Sequence, residues 1–260
     1  MPVFYDQLNR EVHVTPFPKR IISIVPSQTE LLFYLGLDDE IAGITKFCTH
    51  PHNKALSKTK IGGTKQLNIE LIKELQPDLI IANKEENEQS QVEELMDVCP
   101  VWISDIADLP GALNMIKGVG EVVGRTEQAK ALSQSIVNEF NKLGNTALNL
   151  RVAYLIWRKP YMAAGTGTFI DSMLQVCGLT NAFKQQRYPE VSAEMLIDAD
   201  PDVVLLSSEP YPFGEKHIAE IKRIVPRAKI ILVDGEMFSW YGSRLLLAPA
   251  YFTSVITSIT

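Results

Sequence analysis

A short pattern of residues occurs twice in this chain of 260 residues, and it limits the possible folds more than any other feature. The first copy covers residues 68–82 and the second covers residues 192–206. Each copy contains a helix-capping residue, a glutamate two positions later, a Pro-Asp pair and an apolar run. This order predicts a short helix, a turn and a buried strand. Two such half-units predict two lobes with a cleft between them.

Apolar runs and amphipathic segments alternate through both halves of the chain. Largely apolar runs at 21–25, 79–82, 151–156 and 203–206 are typical of strands that are buried on both faces. Strands that alternate with helices predict α/β layers around mostly parallel sheets. We therefore predict an α/β protein with two Rossmann-like lobes.

The proline-free segment from Gly111 to Lys159 separates the two halves. Its apolar residues recur at helical spacing, with an interruption at residues 124–126, so it could form either a bridging helix or a helix pair packed on one lobe. Its position between the repeats favours a single long backbone α-helix that joins the lobes. The predicted domains are an N-terminal lobe at 1–108, a connecting helix at 109–148 and a C-terminal lobe at 149–260.

One helix start is also predicted locally. Ser27 and Glu30 have the S-x-x-E spacing of a capping box, in which both side chains satisfy backbone amides of the first turn. Gly36 is expected to end the same helix.

Composition excludes several classes of protein. The net charge of −6 argues against a nucleic-acid partner, because phosphate-binding surfaces are basic. No apolar stretch approaches the ~20 residues that span a bilayer. The first twenty residues lack the apolar core of a secretory signal, so taken alone they predict a cytoplasmic protein. Three distant cysteines predict neither a disulfide framework nor a structural zinc site.

An ordered set of motifs then resembles a known family. The set runs from Arg20-Ile-Ile-Ser-Ile-Val-Pro-Ser-Gln-Thr-Glu30 through Ile61-Gly-Gly, Asn68-Ile-Glu70 and Val176-Cys-Gly178 to Val191-Ser-Ala-Glu194. It is similar to the helical-backbone (class III) substrate-binding proteins of ABC importers, which deliver vitamin B12, iron-siderophores or haem. The resemblance covers nearly the whole chain from about Arg20.

The resemblance implies a periplasmic, non-catalytic monomer. Its lobes would hold a metal chelate or corrinoid, such as cobalamin, cobinamide, a ferric siderophore or haem. The protein would have no intrinsic cofactor, although its ligand would carry cobalt or iron. The alternative is a cytosolic enzyme, or a chelate-handling protein, that uses the same cleft. We find no Gly-x-Ser-x-Gly elbow and no HExxH motif that would support an enzyme.

By motif, the resemblance assigns Glu70 and Glu194 to docking on the permease dimer of the importer. An exposed carboxylate at a helix start is stabilised by the helix dipole and accepts two hydrogen bonds from an arginine. The alternative is that each glutamate only helps its helix to begin.

Loops after the carboxyl ends of strands are expected to line the ligand site, as in open α/β sheets. Their aromatic, basic and hydroxyl side chains suit a flat, partly charged ligand. The alternative for the aromatic residues is a place in the core. Tyr188 precedes the helix of Glu194 and is included because of its position in the family. The predicted ligand-binding residues are Tyr188, His50, Lys84, Trp157, Arg158, Glu209, Tyr211, Phe238, Trp240, Tyr241 and Arg244.

A possible metal-binding segment lies at residues 48–52, which contain Cys48, His50 and His52. The spacing does not match a zinc finger. His50 is the best candidate to bind cobalt or iron, because either metal accepts an imidazole. The alternative is a solvated loop.

Overall fold

The structure is a computed structural model of the protein, and it describes residues 1–144 and 148–260. Contacts divide these residues into two compact units, each described here by itself. Unit 1 comprises Met1–Ile106, Pro110–Ser135 and Tyr241–Arg244, and unit 2 comprises Ala107–Leu109, Ile136–Trp240 and Leu245–Thr260. Within the described ranges, none of the helices has the length and apolar character to cross a bilayer.

Unit 1 contains a parallel sheet of five strands in the order β5-β4-β3-β8-β9 and two small antiparallel pairs, β1-β2 and β6-β7. Strands β3, β8 and β9 are buried at every residue, as expected for a parallel sheet covered on both faces. The elements are β1 (Val3–Tyr5), β2 (Glu11–His13), β3 (Ile21–Ser23), α1 (Pro26–Tyr34), β4 (Ile41–Ile44), α2 (His52–Leu56), β5 (Thr59–Lys60), β6 (Gly62–Gly63), β7 (Gln66–Leu67), α3 (Ile69–Glu74), β8 (Leu79–Asn83), α4 (Gln89–Met96), β9 (Val101–Ser104), α5 (Leu109–Val122) and α6 (Thr126–Phe140).

Unit 2 contains a mixed sheet of six strands in the order β13-β11-β10-β14-β15, with β12 also paired to β10. Strands β12, β10, β14 and β15 are parallel, whereas β11 and β13 are antiparallel to their neighbours. The elements are β10 (Arg151–Trp157), β11 (Tyr161–Ala163), α7 (Phe169–Val176), β12 (Thr180–Asn181), β13 (Glu190–Val191), α8 (Ala193–Ala199), β14 (Val203–Ser207), α9 (Glu215–Ile224), β15 (Lys229–Val233), α10 (Gly235–Ser239) and α11 (Ala248–Ile259), with 3-10 turns at Asn141–Leu143 and Ser243–Leu246. The predicted α/β class with mostly parallel sheets is confirmed.

The Pro-Asp pair of each repeat fastens its strand to the neighbouring strand. In unit 1 the carboxylate of Asp78 accepts hydrogen bonds from the backbone amides of Lys19 and Arg20, at 2.6 and 2.9 Å. In unit 2 the carboxylate of Asp202 accepts from the backbone amide of Arg151, at 2.7 Å. Each aspartate amide also donates to the carbonyl of the same arginine, Arg20 or Arg151. The repeat therefore sets where β8 meets β3 and where β14 meets β10.

The helix of each repeat also begins and ends in the same way. Asn68 and Ser192 accept hydrogen bonds from the amides of Leu71 and Met195, as side-chain caps do. The residue immediately before the proline of each copy has a positive φ. The angle is 48° at Gln76 and 40° at Asp200, the C-cap of α8. The predicted helix–turn–strand reading of both copies is confirmed.

The segment expected to form one connecting helix contains two helices, α5 and α6. Gly124 between them has φ 69°, a conformation that glycine adopts at little cost. Apolar side chains of α5 are buried, and Gly118 lies against Trp102 of β9, so α5 belongs to unit 1. The predicted domain boundaries at residues 108 and 148 stay a prediction. Residues 145–147 of the predicted segment lie outside the described part.

The predicted capping box at the start of α1 is wrong. The helix begins at Pro26 after Val25, and no side chain caps it. Proline is favoured at this position because it has no amide to satisfy. Glu30 instead pairs with Arg244, a residue that no local pattern could link to it. Gly36, with φ 74°, follows the end of the helix as predicted.

The close approach of α5 and α6 gives a stability prediction. A methyl group on Gly120 would lie 2.2 Å from the Cβ of Ala129, so Gly120→Ala forces the two helices apart. We expect the free energy of unfolding to fall by about 2 kcal/mol, since overpacking outweighs the gain in helix propensity. Urea unfolding measures this change. Gly214→Ala is the matched control, because nothing lies within 4 Å of its added methyl group. Equal stability of the two variants would contradict the packing argument.

Candidate functional site

The carboxyl edge of the sheet in unit 1 is held by a buried polar network. The side chain of Asn83 donates to Ser104 Oγ at 3.0 Å, and Ser104 Oγ donates to the carbonyl of Ala82 at 3.1 Å. Asn87 accepts from the amide of Asn83 at 2.8 Å and donates to the carbonyl of Ile24 at 3.0 Å. Fully paired buried groups of this kind fix the loops that leave the strands.

Two predicted ligand residues lie in these loops. His50 is half-buried between β4 and α2. Lys84 is exposed just after β8, and its Nζ lies 2.5 Å from Asp105 Oδ2, so its charge already has a partner. The structure therefore brings both residues to the same edge of the sheet.

Cys48 cannot readily share a metal with His50. Its Sγ lies 3.1 Å from Thr29 Oγ1 and 3.2 Å from Thr45 Oγ1, and the side chain is buried. Burial raises the pKa of the Cys48 thiol, which keeps the sulfur protonated, whereas a metal ligand must be a thiolate. Residues 1–144 and 148–260 contain no group of three or more His, Cys, Asp or Glu side chains that could hold a metal ion.

The other two thiols are also shielded. Cys177 is buried and Cys99 is partly buried, and neither is in a disulfide. Burial raises the pKa of each thiol to about 12. The described chain therefore has three cysteines that are almost wholly protonated at neutral pH.

Two predicted ligand residues, Tyr241 and Arg244, belong to unit 1 through their contacts. The guanidinium of Arg244 makes two hydrogen bonds to Glu30, at 2.9 and 3.1 Å, and only 8% of the residue is exposed. The hydroxyl of Tyr241 donates to Glu86 Oε1 at 2.6 Å. These bonds attach residues 241–244 to α1 and to the loop after β8.

In unit 2, the predicted residues Trp157 and Tyr211 do come together at the carboxyl edge of the sheet. Their ring centroids are 5.8 Å apart at an angle of 68°. Tyr211 also packs edge-on against Phe213 and His217, with centroids 4.8 and 5.5 Å away. We call Trp157, Tyr211, Phe213 and His217 the aromatic cluster.

The proton on His217 can be assigned from its partners. The amide of Gly214 donates to His217 Nδ1 at 2.9 Å, so this nitrogen is an acceptor. In the neutral ring the proton then lies on Nε2, which donates to the hydroxyl of Tyr211 at 3.2 Å. His217 therefore fixes the orientation of the Tyr211 ring through this hydrogen bond, a role that its position in the sequence did not reveal.

Arg158 is held by unit 2 itself. Its guanidinium makes a two-point ion pair with Glu220 on α9, with Nε and Nη2 at 3.0 and 2.8 Å. Tyr161 donates a hydrogen bond to the same carboxylate. The Arg158 guanidinium, helped by Tyr161, lowers the pKa of Glu220. Glu220 is a partner that the sequence analysis missed, because nothing local connects it to Arg158.

Glu209 is the predicted residue with the most unusual environment. Its Oε1 accepts hydrogen bonds from Trp240 Nε1 and from Ser239 Oγ, each at 2.8 Å. Gly235 allows this approach, because a methyl group there would lie 2.7 Å from Glu209 Cγ. Burial raises the pKa of Glu209, Glu236 and Asp234 raise it further, and the two hydrogen bonds oppose the shift.

Two other predicted residues have different surroundings. Phe238 is fully buried, and its ring lies 5.3 Å from that of Tyr154 and 4.7 Å from that of Phe252. This position is in the core of unit 2, which α10 reaches by turning back after β15. Tyr188 is half-buried in the loop between β12 and β13.

The two glutamates of the repeats are exposed on their helices. Glu70 has 79% of its side chain exposed and pairs with Lys73 Nζ at 2.8 Å. Glu194 is exposed at the start of α8. Hydrogen bonds from its own backbone amide and from Ser192 lower the pKa of Glu194, so it is a stable carboxylate.

Aromatic and charged side chains at the carboxyl edge of mostly parallel sheets are typical of small-molecule binding sites. The family model described as "Periplasmic binding protein" matches residues 21–225. The chain belongs to the periplasmic binding protein family, and it is a substrate-binding protein of the ABC-importer type. The sequence-based recognition of this class is confirmed.

Individual relatives agree with this assignment. A vitamin B12-binding protein of Pectobacterium carotovorum is 26% identical over 255 residues, which are 94% of this chain and 90% of that protein. An uncharacterized ABC transporter substrate-binding lipoprotein of Bacillus subtilis is 25% identical over 260 residues, covering 93% and 81%. The crystal structure of a periplasmic vitamin B12 binding protein of Vibrio cholerae has a TM-score of 0.80 at 21% identity, covering 94% and 99%, and shows the same fold.

The buried carboxyl of Glu209 gives a pH prediction. Because folding raises its pKa, the protonated form favours the folded state. This stabilisation is fully present below the unfolded-state pKa of about 4.3 and is lost as pH rises through the folded-state pKa. Glu209→Gln does not titrate and keeps an acceptor for Trp240. We therefore expect the unfolding free energy of the variant, relative to that of the native protein, to increase from pH 4 to pH 8.

Urea unfolding at a series of pH values measures this difference. Glu215→Gln, at an exposed position in the first turn of α9, is the control and should show a much smaller change with pH. A difference between Glu209→Gln and the native protein that stays constant with pH would refute the role of burial.

Proposed function

We propose that this protein binds a corrinoid of the cobalamin class and delivers it to an ABC importer without changing it chemically. It acts as a monomer outside the cytoplasmic membrane. The observation that carries the proposal is the match over 94% of the chain to a vitamin B12-binding protein, within a family of substrate-binding proteins. The expected place of the ligand between the two lobes stays a prediction.

The aromatic cluster supports a planar ligand. Trp157 is 39% exposed, although it packs on Tyr211, so part of its surface is accessible to a partner. His217 holds Tyr211 in place, so little side-chain entropy is lost when a flat ring system covers the cluster. Aromatic stacking of this kind adds to the gain from removing apolar surface from water.

The charges favour a corrinoid over a strongly anionic chelate. Among the predicted ligand residues, each of the three basic side chains with a long reach already has a carboxylate partner: Lys84 with Asp105, Arg158 with Glu220 and Arg244 with Glu30. An anionic ferric siderophore would have to compete with these partners. A corrinoid of low charge needs no such exchange, and an imidazole such as that of His50 is a ligand that cobalt accepts.

A ligand panel tests the proposal. We expect cyanocobalamin or cobinamide to quench tryptophan fluorescence saturably, with one ligand per chain of 29.1 kDa by light scattering, and to be recovered unchanged. Haemin and a ferric hydroxamate siderophore should bind more weakly. Trp157→Ala should weaken corrinoid binding about tenfold, or about 1.4 kcal/mol, because the stacking face is lost.

Tyr34→Ala is the matched control, since Tyr34 is also exposed but lies on the last turn of α1. It should bind like the native protein. Tight binding of the siderophore without corrinoid binding would replace the proposed ligand. Conversion of any ligand to a product would show catalysis and overturn the transport role.

We further propose that Glu70 and Glu194 dock on the permease. Both carboxylates are exposed, and each lies at the second position of its helix, next to a side-chain cap. An arginine of the permease can make two hydrogen bonds to such a carboxylate. The occurrence of the same arrangement in both units fits a permease dimer with two equivalent sites.

The double variant Glu70→Gln plus Glu194→Gln tests docking. We expect it to bind the ligand with unchanged affinity. We also expect it to stimulate the ATPase of the importer at least tenfold less than the native protein does, because two charge-assisted contacts are removed. Reconstituted liposomes provide the measurement. Native levels of stimulation by the double variant would eliminate this assignment of the two glutamates.

A further inference from the structure

The two copies of the repeat differ in what stands three residues after the docking glutamate. In α3 this residue is Lys73, whose Nζ lies 2.8 Å from Glu70 Oε1 and 3.3 Å from Glu94 Oε1. In α8 the equivalent residue is Ile197, which is 52% exposed. Residues three apart on a helix are neighbours on its surface. Glu70 therefore has a built-in cation beside it, and Glu194 has an exposed aliphatic side chain.

Charge along the chain increases this difference. Residues 188–215 contain seven Asp or Glu and no Lys, Arg or His, whereas residues 65–78 contain Lys65 and Lys73. Within the described parts of the chain, no basic side chain contributes to the environment of Glu194. The segment that contains α8 therefore carries no cation of its own that could compete with a partner for Glu194, as Lys73 does for Glu70.

A mostly apolar pocket adjoins Ile197. It has a volume of about 240 Å³, and its lining combines apolar residues with one acid and one base: Ile197, Pro201, Ile224, Val225, Pro226, Ala228, Asp200 and Arg227. Its volume is roughly that of eight water molecules in the liquid, enough for one aliphatic side chain. Because Ile197 lies one turn after Glu194, a partner that reaches the carboxylate also reaches the pocket.

We propose that the two docking surfaces are unequal, and this inference rests on the proposed docking function. The surface of unit 2, formed by Glu194, Ile197 and the adjoining pocket, binds a permease segment that presents an arginine together with a neighbouring aliphatic side chain. It supplies most of the affinity. Glu70 contributes less, because Lys73 competes with the permease arginine for its carboxylate.

The physical basis is a comparison of contacts before and after docking. At Glu70 the permease arginine replaces an existing ion pair, so only the difference between two ion pairs is gained. At Glu194 the arginine meets a carboxylate to which the described residues supply no ion pair, and the complex also removes the apolar surface of Ile197 from water. The interaction at unit 2 should therefore be the stronger of the two.

An exchange of the two residues tests the inference. The probe is the ABC permease–ATPase complex that immobilised native protein retains from solubilised membranes of the source organism, with its subunits identified by mass spectrometry. Affinity for this complex is measured by surface plasmon resonance for Glu70→Gln, Glu194→Gln, Lys73→Ile and Ile197→Lys. Glu74→Gln and Asp198→Asn, which change the next acid on each helix, are matched controls.

We expect Glu194→Gln and Ile197→Lys each to weaken binding at least tenfold, and Glu70→Gln to weaken it no more than threefold. Lys73→Ile should strengthen binding, and in that background Glu70→Gln should become as costly as Glu194→Gln. The controls should stay within twofold of the native protein. Since both exchanged positions are exposed, circular dichroism should show unchanged folding.

The outcomes separate the inference from the docking function. Equal losses for Glu70→Gln and Glu194→Gln, with no effect of Lys73→Ile or Ile197→Lys, would overturn the inference and leave docking intact. No loss in either glutamine variant would overturn the docking role of the glutamates. Failure of the native protein to retain any ABC complex would contradict both.

Discussion

The fold of each unit depends on an aspartate that fastens one buried strand to the next. Asp78 and Asp202 accept hydrogen bonds from backbone amides at the start of the neighbouring strand and return one through their own amides. The preceding helix and turn deliver each aspartate to this point. Parallel strands have no hairpin to set their register, so a side chain that binds both strands at their amino ends serves that purpose. With the register set, the carboxyl ends of the strands are aligned as well, and the candidate binding residues follow from there.

Much of this architecture was predictable because its causes are local. The observed strands begin where the runs at 79–82, 151–156 and 203–206 begin and extend one residue further, and the strand at the run 21–25 ends two residues earlier. The capped helices of both repeats were also predictable, since each capping side chain accepts a hydrogen bond from a backbone amide only three residues later. The start of α1 was not, because Glu30 is used by Arg244 from the far end of the chain. The break between α5 and α6 was visible as the interruption at residues 124–126, but the close contact of Gly120 with Ala129 was not.

The site was less predictable than the fold, because the residues that orient its side chains lie far away in sequence. Trp157 and Tyr211 could be placed at one edge from strand order alone, but the support of Tyr211 by His217 and of Arg158 by Glu220 could not. Phe238 follows a strand as the other candidates do, yet α10 turns its ring into the core. These partners also change the chemistry. Ion pairing within each unit leaves the aromatic faces, more than the cations, available to a ligand.

The three shielded thiols have a consequence for the conditions in which the protein can work. Disulfide formation and exchange start from the thiolate, and a thiol with a pKa of about 12 has only about one part in 10⁵ of that form at pH 7. Cys48 is enclosed by two threonine hydroxyls, which removes it from contact with external oxidants. A chain with an odd number of cysteines would normally risk crosslinking to other molecules in an oxidising compartment. Here the tertiary structure keeps the three thiols protonated, which slows disulfide formation and exchange at each of them.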